Sequence, residues 1–135
     1  MAAITHQEID EDSVKKGIHS PSAGALLTFS GVVRGHHLGR AVTFIEYHAY
    51  EPMAKKELTR IEEEIGQRWP GAAAAIVHRV GLLNVGETSV CIAVSSPHRS
   101  EGFQALRFAI DAIKESAPIW KKEIYTDGYA WIEGS

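Results

Sequence analysis

Three short stretches of the chain concentrate groups able to do chemistry. The first, Arg34-Gly35-His36-His37-Leu38-Gly39-Arg40, packs two arginines and two histidines into seven residues. A guanidinium offers a planar fork of donors suited to phosphate or carboxylate. The flanking glycines give a loop able to close over such a ligand. The same residues also describe an ordinary polar hairpin tip. The second stretch, Ser95-Ser96-Pro97-His98-Arg99-Ser100, runs into a helical pattern. Free backbone N–H groups at a helix start favour an anion, and His98 and Arg99 add proton transfer and charge beside it. The alternative is plain capping by Ser100, with both neighbours solvated. In the third stretch Lys114 and Lys121 flank Ala117-Pro118-Ile119-Trp120. Pro118 must redirect the chain, so the two amines can approach one point from different elements. A lysine beside apolar groups can lose proton affinity and act as acid, base or nucleophile. Solvated lysines favouring a helix C-terminus are the competing explanation.

Other chemistries lack support. No GxGxxG or GxxxxGK[ST] motif occurs, and the seven histidines include no HExxH. His36, His37, His78 and His98 have no spacing that recommends a metal site. Ser95 and Ser96 lie near His98 but outside a GxSxG elbow. Cys91 falls within an apolar strand pattern and reads as inert core. Met53, Phe44, Tyr47 and Tyr50 read as core or interface residues rather than a cofactor box.

The elements that must position these groups follow from periodicity. Ala3–Ile9 reads as a first strand, with Asp10, Asp12 and Ser13 offering cap oxygens to a short helix over Val14–Ile18. Ala25–Val33 and Val42–Tyr50 are rich in β-branched and aromatic residues and read as strands around the first cluster. Pro52 suits a first helical turn. Leu58, Ile61, Ile65 and Trp69 then form an apolar stripe ended by Pro70-Gly71, with Glu62-Glu63-Glu64 mostly off it and solvated. Ala73–Val80 and Thr88–Ser95 read as strands joined through Asn84–Glu87, the second dry on both faces. Ser100 is expected to cap a helix with the stripe Phe103, Leu106, Ile110, Ile113 and Ala117, stopped by Pro118. A hairpin closes the chain, Glu123–Tyr125 against Tyr129–Ile132 across an Asp127-Gly128 type I′ turn. The sum is α+β with two main helices.

Length and composition bound the possibilities. The chain has 135 residues, 44% of them hydrophobic, and is expected to form one domain over 1–135. Lys plus Arg number 14 against 17 Asp plus Glu, a formal charge of −3, which disfavours a general nucleic-acid binder. The N-terminus lacks a signal-peptide core, and runs such as Ala72–Val77 are too short for a membrane span, so a cytoplasmic protein is expected. One cysteine permits no internal disulfide and no resolving thiol, so any sulfur chemistry needs sulfur from elsewhere.

The segments TFSGVVRGHHLG (28–39), EYHAYEPMAKKEL (46–58), HRVGLLNVGE (78–87), SPHRSEGFQA (96–105) and IKESAPIWKKE (113–123), in this order, resemble the large catalytic subunits of molybdopterin synthase. The resemblance spans nearly the whole chain. It implies an α/β hammerhead-type core with an additional antiparallel β subdomain. It also implies conversion of a cyclic pyranopterin monophosphate to molybdopterin by installing two dithiolene sulfurs. Each sulfur would arrive on the C-terminal glycine thiocarboxylate of a small ubiquitin-like subunit ending in Gly-Gly, with no further cofactor. Two copies of this chain would form the centre of a heterotetramer. Carried over by residue, Lys114 and Lys121 match the family's active-site lysines. Arg34, His98 and Arg99 match contacts to the substrate phosphate and pterin. Val32 and Val33 fall in the binding segment of Arg34, and Lys122 and Glu123 in that of Lys121. A basic position expected before Trp131 is occupied by Tyr129-Ala130. Two other classes remain open: a non-catalytic anion-binding scaffold using Arg34 and Arg99, and a metal-dependent hydrolase using the histidines.

Overall fold

The computed structural model describes residues 2–133. In chain order the elements are β1 (Ala3–Thr5), α1 (Glu11–Lys16), β2 (Ala25–Val32), β3 (His36–His37), β4 (Arg40–Ala49), α2 (Glu51–Arg68), β5 (Ala73–Arg79), β6 (Gly81–Asn84), β7 (Thr88–Ser96), α3 (Arg99–Ser116), β8 (Ile119–Tyr125) and β9 (Gly128–Glu133). The α+β class and the two long helices match expectation.

A four-stranded sheet has the order β1-β5-β7-β2, with β1 parallel to β5 and the other pairs antiparallel. The dry strand β7 is central, and both its faces are covered. Val90, Ile92 and Val94 join Ile76, Leu58, Ile61, Ile65, Ala105, Ala109 and Ile113 in the main core. Cys91 and Ala93 face Ile9, Val14 and Ile18 around α1 in a smaller one. Each fully buried aliphatic of the α2 stripe contributes about 2 kcal/mol of burial free energy.

A second, antiparallel sheet has the order β3-β4-β8-β9, and β6 pairs with β4. Period-two alternation gives β8 an inner face of Ile119, Lys121, Glu123 and Tyr125 and an outer face of Trp120, Lys122 and Ile124. Ile45, Tyr47, Leu83, Ile119 and Tyr125 join the core of the first sheet, so one apolar interior holds the sheets together. Ala117 ends α3, and Ile119 opens β8 directly after Pro118, so the redirection expected at Pro118 occurs.

Several expectations are corrected. β1 stops at Thr5, where the Gln7 N–H turns back to Thr5 Oγ1 and Asp10 caps α1 by accepting from the Ser13 N–H. The short strand β6 was absent from the sequence expectation, because four residues carry too little pattern. Glu62 is not merely solvated, since its carboxylate accepts the Ile76 N–H at 2.8 Å. His98, not Ser100, is the N-cap of α3, and the Glu101 carboxylate accepts the His98 N–H at 3.2 Å. The buried line of α3 is Gly102, Ala105, Ala109 and Ile113, while Phe103 is 64% exposed. Close approach to the sheet explains this: a Cβ on Gly102 would lie 2.4 Å from Leu27 Cδ1 and 2.8 Å from Ser96 Oγ. The final turn is made by Thr126 and Asp127, because Tyr125 pairs with Gly128, and only Gly128 has positive φ, at 147°. A type I′ turn needs positive φ at both turn residues, so it is excluded.

Candidate active site

The β4–β8 register sets Tyr47 opposite Lys121 and Ile45 opposite Glu123. The Lys121 ammonium lies 6.0 Å from the Tyr47 ring centre and 3.6 Å from Glu123 Oε2. Glu123 is 3% exposed, a buried carboxylate that must be paired. It is: the Tyr125 hydroxyl donates to it at 2.6 Å, and His37 Nδ1 stands 3.8 Å away. The buried carboxylate therefore fixes Lys121 from one side while Tyr47 supports it from the other. Tyr125 is itself covered by the Arg40 guanidinium, 3.8 Å above its ring, and Arg40 pairs with Asp127 at 2.9 Å.

Arg34 reaches the same cleft from the loop before β3. The Val33 N–H donates to the Glu87 carbonyl and the Gly86 N–H to the Val33 carbonyl, anchoring the segment just ahead of it. Val33 is buried and Val32 half-exposed. Val32, Val33, Arg34, His37, Tyr47, Lys121 and Glu123 line one cleft of about 40 Å³. That is room for about one water, so a larger ligand must open the loop or lie across the mouth.

Lys114 enters from the last turn of α3 and lines a separate groove of about 720 Å³ with Tyr50, Pro118, Trp120 and Trp131. Burial lowers its proton affinity, and the charges of Lys121 and Arg34 lower it further. Three cationic side chains from three elements thus act on one another, which favours an anionic ligand and a more readily deprotonated amine. The aromatic wall is ordered by ring contacts: Trp120 stacks on His48 and tilts against Tyr50, and His48 meets Trp131.

The remaining sequence candidates lie elsewhere. Lys122 points to the outer face, its ammonium 4.3 Å from the Tyr129 ring centre and 5.4 Å from that of Trp131. His98 and Arg99 are exposed at the start of α3. Lys114 is sixteen residues further along that helix, about 24 Å at 1.5 Å per residue. One chain therefore does not bring the second cluster to the lysines.

Buried groups missed by sequence reasoning complete the site. Tyr47 is a wall of the cleft, not simply core. Beneath it lies His78, fully buried, its ring 5.2 Å from that of Tyr47 and roughly edge-on. Its Nδ1 is 2.8 Å from the Arg79 carbonyl, which makes that nitrogen the donor, while Nε2 is buried without a partner. Burial pushes the ring down to about pKa 4, with Lys114 and Lys121 adding to the effect. Strand pattern alone marks such a histidine only as interior. Cys91 is fully buried, and burial pushes its thiol up to about 11, so it is no nucleophile. The Ser96 hydroxyl donates to the His98 carbonyl at 2.6 Å and is likewise engaged. Among the described residues no cluster of three or more His, Cys, Asp or Glu is arranged to hold a metal ion, and no helix is long and apolar enough to cross a membrane.

Comparison with known proteins identifies the family of the chain. A sequence profile of the family described as MoaE protein matches residues 4–116. The molybdopterin synthase catalytic subunit of Bacillus subtilis is 48% identical over 129 residues, covering 96% of this chain and 82% of that one. That of Staphylococcus aureus strain COL is 49% identical over 128 residues, covering 95% and 86%. The crystal structure of molybdopterin synthase from Staphylococcus aureus superposes with a TM-score of 0.92 at 43% identity, covering 95% of this chain and 93% of that one. A complex of subunits 1 and 2 of the molybdopterin-converting factor from Helicobacter pylori shares the fold, with a TM-score of 0.78 at 19% identity over 96% and 88% of the two chains.

Proposed function

Because the chain belongs to the MoaE family and is 48% identical to the molybdopterin synthase catalytic subunit of Bacillus subtilis, we propose that it is the catalytic subunit of a molybdopterin synthase. In chemical terms it acts as a sulfurtransferase. It converts a cyclic pyranopterin monophosphate to molybdopterin with two sulfurs delivered on the C-terminal thiocarboxylate of a small ubiquitin-like subunit. The observation that carries this is that Arg34 and Lys121 line one cleft, while Lys114, at the end of α3, is near enough for their charges to lower its proton affinity.

Each group has a task on that chemistry. Arg34 supplies the fork for the substrate phosphate. The 720 Å³ groove has room for an extended tail ending in Gly-Gly, and Lys114 is the cation in its lining that receives the thiocarboxylate. Lys114, with its lowered proton affinity, serves as base or acid during ring opening and sulfur transfer. Lys121, held by Glu123, contacts the tail terminus and assists departure of the carboxylate after the sulfur has moved. Val32 and Val33 shape the wall beside Arg34. Glu123 holds Lys121 rather than substrate, and Lys122 braces the aromatic ridge. Sulfur comes from the partner tail, so no further cofactor is invoked, and the cytoplasm is the compartment for this reaction.

His98 and Arg99 join the same substrate only if a second copy of the chain supplies them. A homodimer at the centre of a heterotetramer, with a small subunit on each side, provides that arrangement. The complex of the two converting-factor subunits from Helicobacter pylori supports a small partner. A purified complex supplied with thiocarboxylated partner and cyclic precursor is expected to form molybdopterin. Lys121→Ala and Lys114→Ala are each expected to slow formation by roughly a hundredfold, the lower range for loss of an acid–base group. Normal yield from both variants would overturn the assignment of the lysines.

A further inference from the structure

One ring nitrogen in the cleft stands between two groups with opposite demands. His37 Nδ1 is 3.4 Å from Arg34 Nη2 and 3.8 Å from Glu123 Oε1. A guanidinium only donates hydrogen bonds, and a carboxylate only accepts them. A neutral imidazole nitrogen presents either a lone pair or a hydrogen. The two contacts are therefore alternatives. The shorter one, to Arg34, requires a bare Nδ1 with the hydrogen on Nε2. In that state Glu123 is left to Tyr125 and Lys121. The other charged groups nearby are otherwise engaged: Arg40 pairs with Asp127 and covers Tyr125.

We propose that His37 is a positioning residue that couples occupation of Arg34 to release of Lys121. The coupling rests on the function proposed above, in which Arg34 receives the substrate phosphate. When the phosphate draws Arg34 away, Nδ1 loses its donor, and Glu123 is its remaining partner. The His37 side chain is 27% exposed, so water can take the Nε2 proton and deliver one to Nδ1 with no net proton uptake. The Nδ1–H then donates to Glu123. The carboxylate now has Tyr125 and His37 as donors, which loosens its hold on the ammonium. Lys121 is free to turn toward the anionic end of the sulfur-carrying tail. Substrate binding and readiness for transfer become one event, and the tail meets a free lysine only when the acceptor is present.

The hydrogen position is directly measurable. Ring nitrogen-15 shifts of the full-length, histidine-labelled protein, with His37 assigned by its loss in His37→Asn, distinguish a bare Nδ1 from a protonated one. At about pH 8.5, above the ordinary histidine range, the free protein is expected to show a bare Nδ1. Arg34→Met, and separately saturation of the unmutated protein with the cyclic precursor, are each expected to move the hydrogen to Nδ1. An Nδ1–H already present in the free protein, or a bare Nδ1 persisting in Arg34→Met, overturns the proposal. Failure of the precursor to bind at all is a different result. It counts against the phosphate role of Arg34, while the Arg34→Met comparison still judges the switch. Kinetics give a second readout that a purely structural role would not produce. His37→Phe leaves Arg34 unclaimed and Glu123 on Lys121. Single-turnover sulfur transfer is then expected to fall about tenfold, with KM for the precursor within about twofold. A loss confined to KM, or no loss in either, contradicts it.

Discussion

Lys121 and Glu123 stand two residues apart on the inner face of β8, and a buried carboxylate answered by one ammonium is sensitive to loss of either partner. Lys121→Met is expected to destabilise the fold by about 3 kcal/mol, because Glu123 is then buried with hydrogen bonds but no countercharge. Urea denaturation measures this, and stability within about 0.5 kcal/mol of the parent would show that Glu123 does not depend on the lysine. His78 gives a pH signature. Its folded pKa of about 4 lies below the ordinary 6.5, so the unfolded chain binds the extra proton first as pH falls. Stability is full above about pH 6.5 and is lost progressively down to about pH 4, by about 3 kcal/mol from this residue. His78→Gln is expected to remove that part of the slope. A profile parallel to the parent across this window would show that the imidazole is not buried neutral. Arg34, Lys114 and Lys121 were visible as residue types at suggestive spacing. The burial of His78 and of Glu123, and the Tyr125 hydrogen bond to Glu123, were not, because a buried ring and a carboxylate on an alternating strand look like any interior or surface position until the sheets are paired.

At the scale of elements, the small residues of α3 set its approach to the sheet and so the position of Lys114. Gly102→Ala inserts a methyl group 2.4 Å from Leu27 Cδ1. It is expected to cost about 1–3 kcal/mol from overpacking, less the gain in helix propensity of up to about 1 kcal/mol. A net stabilisation measured by urea denaturation would show that the helix can rise without penalty. Leu58→Ala, in the fully buried stripe of α2, is expected to cost about 2–5 kcal/mol by the same assay. The α2 stripe was legible because its side chains are large and regularly spaced. The α3 stripe held at Ile113 and Ala117, but its first part shifted by one position to Gly102, Ala105 and Ala109, because close packing selects Gly and Ala, which hydrophobicity counts poorly, and leaves Phe103 outside. The β8–β9 hairpin was legible in outline, but its turn fell one residue early because Gly128 serves as the first paired position. β6 depended on β4 being present to pair with, and four residues do not announce that.

At the scale of the whole molecule, α3 holds His98 and Arg99 at one end and Lys114 at the other. Sequence motifs placed both clusters in one site, and motif order cannot show that a helix of eighteen residues separates them. If a second copy closes the gap, two individually inactive variants complement one another. Arg99→Ala mixed with Lys121→Ala is expected to regain up to about a quarter of parental activity, since random dimerisation gives about half heterodimers with one intact site each. Additive residual activity alone would place both residues in the site of one chain. The central claim is that this chain catalyses sulfur transfer with its own lysines onto a phosphate-bearing pterin. Its most direct test is single-turnover formation of molybdopterin from the cyclic precursor by the chain and a thiocarboxylated Gly-Gly partner, without added metal, comparing the parent with Lys121→Ala and Lys114→Ala. The expected result is molybdopterin from the parent and roughly a hundredfold slower formation from each variant. No product from the parent complex, or undiminished product from both variants, would contradict it.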